Sequence, residues 1–383
     1  MHPLANKKPT DILPHLENEV QKGMIAHTVG TGAFAALELF DYTRECTAKK
    51  AWNDTTTLAR GLVLNRSTNR FVTLPFPKFF NLGEVSQASL PELPFQCTEK
   101  LDGSLGIAFH HNGTWQVITR GSFNSEQGRW ATAQLNYRNT SGLIPGTTYL
   151  FEIIYADNRI VVAYDFEDLV LIGGCHANGQ ELTRPQLEAT ATQLPCRIAQ
   201  QHQHKSLADL VQLCLTMDHH QEGFVVCFAN RLRLKIKGKR YCEVHRAIAC
   251  IRPTSIWEFL VEDRNLDNFR NTIPAEFQTD FDCIRGLLEE KRSTALATLQ
   301  HLVATHRHLG DKELAAQLPA LTKTHPEARY LFAYRRNKFL PQYNTPNSCE
   351  RRKFHKLFRP TANRLEGYHA SRCLQRLLNA DQT

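Results

Sequence analysis

The sequence predicts an α+β protein in which a strand-rich region with a few helices precedes an all-helical one. Three observations predict it. Short β-type apolar runs recur through the first 240 or so residues, and one pair of them is joined by Asn112-Gly113. Beyond about residue 245 the two-residue alternation gives way to long helical patterns.

The strand-like runs, in order, are 34–42 (FAALELFDY), 60–65 (RGLVLN), 105–111, 114–120, 148–155 (TYLFEIIY), 169–174, 223–228 (GFVVCF) and 232–237 (LRLKIK). Asn-Gly between 105–111 and 114–120 is the preferred chemistry for a two-residue hairpin turn. A helix is expected from Asn124-Ser125 through EQGRWATAQLN, and another where Leu207, Leu210, Val211 and Cys214 repeat at helical spacing. In the second region helical patterns occupy 283–307, 311–322, 327–339 and 350–378. The simplest division places a mixed domain at 1–245 and a helical, basic domain at 246–383.

The chain has 383 residues, 42% hydrophobic and 22% charged, the proportions of a globular protein with a sizeable core. No apolar run approaches the roughly 18–20 residues of a membrane span, and the N-terminus lacks the apolar core of a signal peptide. Eleven cysteines include no C-x-x-C pair, so free thiols in a reducing cytoplasm are expected. The paired histidines (His110-His111, His219-His220) and His202 and His204 lack accompanying ligands at matching spacing and read as surface residues. The net charge of +8 is uneven: 321–383 holds 13 Lys+Arg against 4 Asp+Glu, an excess of 9. Such a segment suits a polyanion, nucleic acid before membrane, or else a solvated helix surface.

One stretch carries more specific chemistry. In CTEKLDGSLG (97–106) a lysine, Lys100, precedes an Asp-Gly-Ser turn between two strand-like runs. A lysine becomes a nucleophile only as the free amine, which burial or neighbouring cations favour. An exposed lysine beside a hairpin turn fits the same four letters. Other positions keep it company: Arg60-Gly61 opening a strand, Lys78 before two phenylalanines, Glu152 inside an apolar strand and Glu222 at a strand entrance. Lys235 and Lys237 share one strand face. Each singly also fits a structural role, the carboxylates as salt-bridge partners and the lysines as a charged sheet edge.

In this order the segments resemble the covalent nucleotidyltransferases, and most closely the bacteriophage T4 RNA ligase 1 family. The resemblance rests on KLDGS, RG and KFFN, SEQ (125–127), NRIV…AY (158–164), EGFV, and KIK…Y…H ending at His245; it spans about 40–245. It implies a nucleotidyltransferase domain of antiparallel sheets with flanking helices, followed by a helical domain concerned with the choice of RNA. Lys100 would attack the α-phosphate of ATP and hold AMP, which passes to a 5′-phosphate RNA end before a 3′-hydroxyl displaces it. The same resemblance assigns Arg60, Lys78, Lys235 and Lys237 to the ATP phosphates, with Tyr42 of LFDY beside them, and Glu152 to the ribose. Glu99, Asp102 and Gly103 flank the nucleotide, Arg120 faces the nucleotide or the RNA, and Glu222 helps hold a divalent metal. The implied cofactors are ATP and Mg2+, with Mn2+ able to replace it, and the implied partner is broken RNA such as a nicked tRNA under repair. The cations gripping the phosphates are also expected to keep Lys100 neutral. The competing readings are a non-catalytic RNA-binding protein on this fold, and a DNA ligase or capping-type enzyme. The helical character after KIK argues against the latter pair, which need a small barrel there. In ERRKFHKLFRPTANR (350–364) Phe354, Leu357 and Phe358 are spaced as a packing stripe more than as a base-stacking platform.

Overall fold

The computed structural model describes residues 1–204, 206–336, 353–371 and 374–375. The chain divides into two compact units, with the boundary between Glu243 and Val244, inside the helix Lys239–Ala249.

The strands of the first unit are β1 (Ile25–Val29), β2 (Glu38–Tyr42), β3 (Arg60–Asn65), β4 (Arg70–Phe71), β5 (Phe80–Asn81), β6 (Phe95–Lys100) and β7 (Ser104–His111). There follow β8 (Thr114–Thr119), β9 (Thr148–Ile154), β10 (Asp168–Cys175), β11 (Gln201–His202), β12 (Gly223–Phe228) and β13 (Arg233–Lys237). They form three sheets, ordered β1-β2-β3-β4, β10-β9-β7-β8 and β11-β6-β12-β13-β5. Every pairing is antiparallel except β13 with β5.

The middle sheet explains why TYLFEII reads as a nearly unbroken apolar run. Tyr149, Phe151 and Ile153 pack on one side with Ala108, Leu169 and Leu171, while Leu150 packs on the other with Ile107, Phe109 and Ile118. A sheet covered on both faces has no solvated side on which to place polar residues. Glu152 is the exception in that run, and it marks the site.

The helices Glu126–Tyr137 and Leu207–Thr216 begin where expected, because Ser125 accepts from Gly128 N at 3.1 Å and Ser206 from Asp209 N at 3.1 Å. The run at 34–42 is extended only from Glu38, since a 3-10 turn at Gly32–Phe34 drops the Phe34 ring into the core.

In the second unit the pattern at 283–307 belongs to a 31-residue helix, Ala275–Thr305, and that at 311–322 to Asp311–Thr324. The pattern at 327–339 is a 3-10 turn, Pro326–Tyr330, followed by a short helix, Leu331–Arg335; its last residues lie outside the described ones. The helix expected over 350–378 is found within the described residues only at 353–355, running into the 3-10 turn Lys356–Phe358, and at 374–375; the chain from 359 to 371 is not helical. Pro360 follows the turn, and Ala362, Asn363 and Gly367 have φ of 50°, 60° and 82°, which no helix accommodates. Phe354 and Phe358 are 1% and 8% exposed, so the packing stripe is what the structure contains. No described helix is long and apolar enough to cross a membrane, and the described cysteines are free thiols.

Candidate active site

Register assembles the centre of the site. Gly223 of β12 faces Lys100 on β6 and Lys237 on β13. Glu222, one residue earlier, therefore reaches both amines: its Oε2 lies 2.6 Å from Lys100 Nζ and its Oε1 2.8 Å from Lys237 Nζ. Glu222 is 4% exposed. Burial alone would raise its carboxyl, but the two ammonium groups outweigh it and hold Glu222 below the usual range.

After Lys100 the chain turns into β7 under tight constraint. The Asp102 amide donates to Tyr164 Oη at 2.8 Å; Asp102 Oδ2 accepts from the amides of Val161 and Val162, each at 2.8 Å, and its Oδ1 from Tyr241 Oη at 2.6 Å. Burial, and then the charge of Glu222, push the Asp102 carboxyl above its normal value. The Gly103 amide donates to Glu152 Oε1 at 3.0 Å. A Cβ on Gly103 would meet Ile153 O at 2.5 Å, so glycine is required here by the closeness of β9. Ser104 donates to Asn158, which donates to Ile153 O at 2.7 Å and ties the loop after β9 to the same turn.

Around this centre lies a cleft of about 380 Å³, lined among others by Tyr42, Arg60, Lys78, Glu99, Lys100, Glu152 and Lys235. Lys78 Nζ sits 4.4 Å from the Phe80 ring and 5.0 Å from Trp52; the Arg60 guanidinium and Lys235 Nζ lie 5.4 and 5.7 Å from the Phe79 ring. Arg60 also donates to Phe76 O at 3.2 Å. Such ring contacts hold cations without neutralising them. The electrostatics agree. Burial first, and then Lys78, Lys100, Lys237 and Arg60, push Lys235 down to about 7. Lys78 and Arg60 are likewise lowered, chiefly by burial. Glu152 is pushed up to about 7 by burial, against the pull of Lys100. This is a buried site with more cations than its carboxylates cancel, chemistry suited to a polyphosphate.

Arg120 lies with its guanidinium 4.0 Å from the Tyr42 ring centroid and its Nε 3.3 Å from Asp41 Oδ2. Glu99 accepts from the Gln200 amide at 2.8 Å, so its carboxylate is spent partly on holding the wall of the cleft. One expectation is corrected. Burial does favour a neutral Lys100, but Glu222 and Glu152 outweigh it and raise its pKa above the ordinary value. Burial and then the nearby cations lower Lys235 instead, which has no carboxylate in ion-pair contact among the described residues.

Residues of this site that sequence reasoning missed are Asp41, Trp52, Phe79, Tyr164 and Tyr241. The two tyrosines stand inside the segments NRIV…AY and KIK…Y…H, and the signal was their fixed spacing. Trp52 and Asp41 carry no local signal.

Comparison with known proteins gives a family match: residues 58–241, just under half of the chain, fit the family model described as RNA ligase. Among curated relatives, the RNA ligase of Rhodothermus phage RM378 is 25% identical over 361 residues, covering 72% of this chain and 80% of the relative. A putative bifunctional polynucleotide kinase/RNA ligase of Autographa californica nuclear polyhedrosis virus is 27% identical over 247 residues, covering 56% of this chain. The chain spans about a third of that longer relative, 34%. An archaeal ATP-dependent RNA ligase of known structure aligns with a TM-score of 0.47 and 15% identity, over 70% of either chain. The matched RNA ligase segment contains Arg60, Lys78, Lys100, Glu152, Glu222, Lys235, Lys237 and Tyr241. Asp41 and Tyr42 precede it.

Proposed function

We propose that this chain is an ATP-dependent RNA ligase that joins a 5′-phosphate to a 3′-hydroxyl through a lysyl-AMP and an RNA-adenylate. The observation that carries the reading is Lys100 with its Nζ 2.6 Å from buried Glu222, beside a cleft whose cations exceed its carboxylates.

Nucleotidyl transfer depends on alignment and on stabilising charge at phosphorus. Arg60, Lys78, Lys235 and Lys237 would bind the triphosphate, Tyr42 and Arg120 beside them. Glu152 would accept from a ribose hydroxyl with the oxygen not bonded to Gly103. Glu99, Asp102 and Gly103 would fix the turn that aims Lys100 at the α-phosphate. The amine would form a bond to the α-phosphorus as the bond to pyrophosphate breaks.

Glu222 is of the ligand class that Mg2+ or Mn2+ takes, and its two oxygens are held by Lys100 and Lys237. A divalent cation held there would neutralise phosphate oxygens and compete with Lys100 for the carboxylate. With that partner withdrawn from Lys100, burial becomes the dominant influence and favours the free amine. The 5′-phosphate of an RNA end would then take the AMP, and a 3′-hydroxyl would displace it.

We assign residues 246–383 to RNA selection and the protein to cytoplasmic repair of broken RNA, a nicked tRNA loop fitting the chemistry. The test is a joining reaction with ATP, Mg2+ and RNA bearing 5′-phosphate and 3′-hydroxyl ends. A longer, phosphatase-resistant product is expected. Label transfer from GTP but not ATP would point to capping, and no product from RNA with sealing of nicked DNA would point to a DNA ligase.

A further inference from the structure

Asp41 is a buried carboxylate that the reaction above does not use. It is 7% exposed, and its Oδ1 has no hydrogen-bond partner among the described residues. An orphaned buried oxygen is uncommon and asks for a reason. Asp41 stands on β2 opposite Arg60 of β3, immediately before Tyr42 and just past an irregularity in the β2–β3 pairing. Its other oxygen pairs with Arg120 Nε at 3.3 Å while the guanidinium lies over the Tyr42 ring at 4.0 Å. Gly121 keeps the approach open, since a Cβ there would come 3.3 Å from the same carboxylate oxygen. The guanidinium is thus held at its Nε edge and on one face. Among the described residues, neither of its terminal amino groups is hydrogen-bonded.

We propose that Asp41 is a positioning residue that clamps Arg120 across the Tyr42 ring, presenting the terminal amino groups of Arg120 to the ATP phosphates. The clamp rests on the ligase reading and deepens it. Without it, Arg120 would be held only by the face it lays on the Tyr42 ring, and fixing the direction of its terminal amino groups would cost binding energy. With it, Arg120 is preorganised and Asp41 offsets the repulsion between Arg60 and Arg120.

The clamp and a purely electrostatic role predict opposite signs. Burial pushes the Asp41 carboxyl up to about 7 against the pull of Arg120 and Arg60. At pH 8, where it is ionised, Asp41→Asn removes a negative charge from a phosphate site, so charge alone would lower the ATP concentration needed for half-saturation. The clamp predicts a rise of about tenfold, with the rate at saturating ATP within about twofold of wild type. The measurement is the initial rate of chain labelling from α-labelled ATP against ATP concentration, for wild type, Asp41→Asn, Arg120→Ala and the double variant. Arg120→Ala should show the same rise, and the double variant no more than either single. An unchanged or lower half-saturation in Asp41→Asn, or additive effects in the double variant, overturns the proposal. If Asp41→Asn does not fold, Arg120→Lys carries the same expectation, because an ammonium cannot be held at one edge while presenting two others; unchanged half-saturation there overturns it equally. Failure of wild type to label sinks the ligase reading and this role together. Labelled wild type with an unshifted Asp41→Asn sinks this role alone.

Discussion

Gly223→Ala should break the site from its backbone outward. Gly223 has φ of 142°, and a Cβ on it would sit 2.0 Å from Ile236 O and 2.8 Å from Lys237 Cα. Both are backbone atoms of β13, so no side chain can swing aside. Relief requires β12 and β13 to separate by roughly 1 Å on a normal spacing of about 4.8 Å. The strained φ costs about 1–3 kcal/mol and overpacking about 1–3 kcal/mol, giving about 2–6 kcal/mol together. The same displacement stretches the Lys237–Glu222 contact from 2.8 Å toward the limit of an ion pair and turns Glu222 away from Lys100. Chain labelling from ATP should fall at least about tenfold in protein that still folds, the loss of one charge-assisted bond at the reacting centre. Denaturant unfolding gives the stability and labelling gives the activity. Wild-type values in both would refute the assignment of Gly223 as the contact that sets Glu222 between the two lysines.

Other perturbations have simpler outcomes. Gly286 lies exposed inside the 275–305 helix, and a Cβ added to it would meet nothing within 4 Å, so Gly286→Ala should add about 0.5–1 kcal/mol of stability by denaturant unfolding; no gain would count against a continuous helix there. Glu152 is pushed up to about 7 by burial, so the folded state holds this proton more tightly than the unfolded chain does. Its contribution to stability is complete below the unfolded value of 4.5 and is lost as pH rises through about 7. The melting temperature of Glu152→Gln minus that of wild type should therefore increase from pH 5 to pH 8, and a flat difference would contradict the burial of that carboxyl. Cys97 and Cys175, whose thiols burial pushes up to about 12, should resist a thiol reagent until the protein unfolds, whereas exposed Cys283 reacts at once; early modification of Cys97 would contradict the packing around β6.

Strands were legible because each buries a defined face. RGLVLN begins and ends where its apolar run does, since Leu62 and Leu64 pack on one side and Val63 on the other. GFVVCF buries Phe224, Val226 and Phe228 on one face and lines the cleft with Val225 and Cys227 on the other. The helix Pro9–Gln21 was hidden by Pro9 and Pro14, which read as breakers, although Ile12, Leu13 and Leu16 keep helical spacing and are buried. The long pattern at 350–378 misled in the opposite sense: its apolar residues are spaced for a helix, but Pro360 and the left-handed backbone at 362–363 stop one. For the site, residue types and order pointed to Lys100, Glu152, Glu222, Lys235 and Lys237, and the register of β6, β12 and β13 groups Lys100, Glu222 and Lys237. The protonation of Lys100 was not legible. It depends on a 2.6 Å contact with Glu222, 122 residues away, and sequence spacing says nothing of such distances. Asp41 was illegible for the same reason, its partner Arg120 lying far along the chain and outside the sheet that holds Asp41.

The most direct test of the account is to expose the full chain to ATP and a divalent cation without RNA, digest it, and find the peptide that carries adenylate. The account predicts one modified residue, Lys100, bearing an acid-labile phosphoramidate that pyrophosphate reverses and that Lys100→Ala abolishes. Adenylate on another lysine, Lys235 above all, or none on a folded chain with saturating ATP, would contradict it.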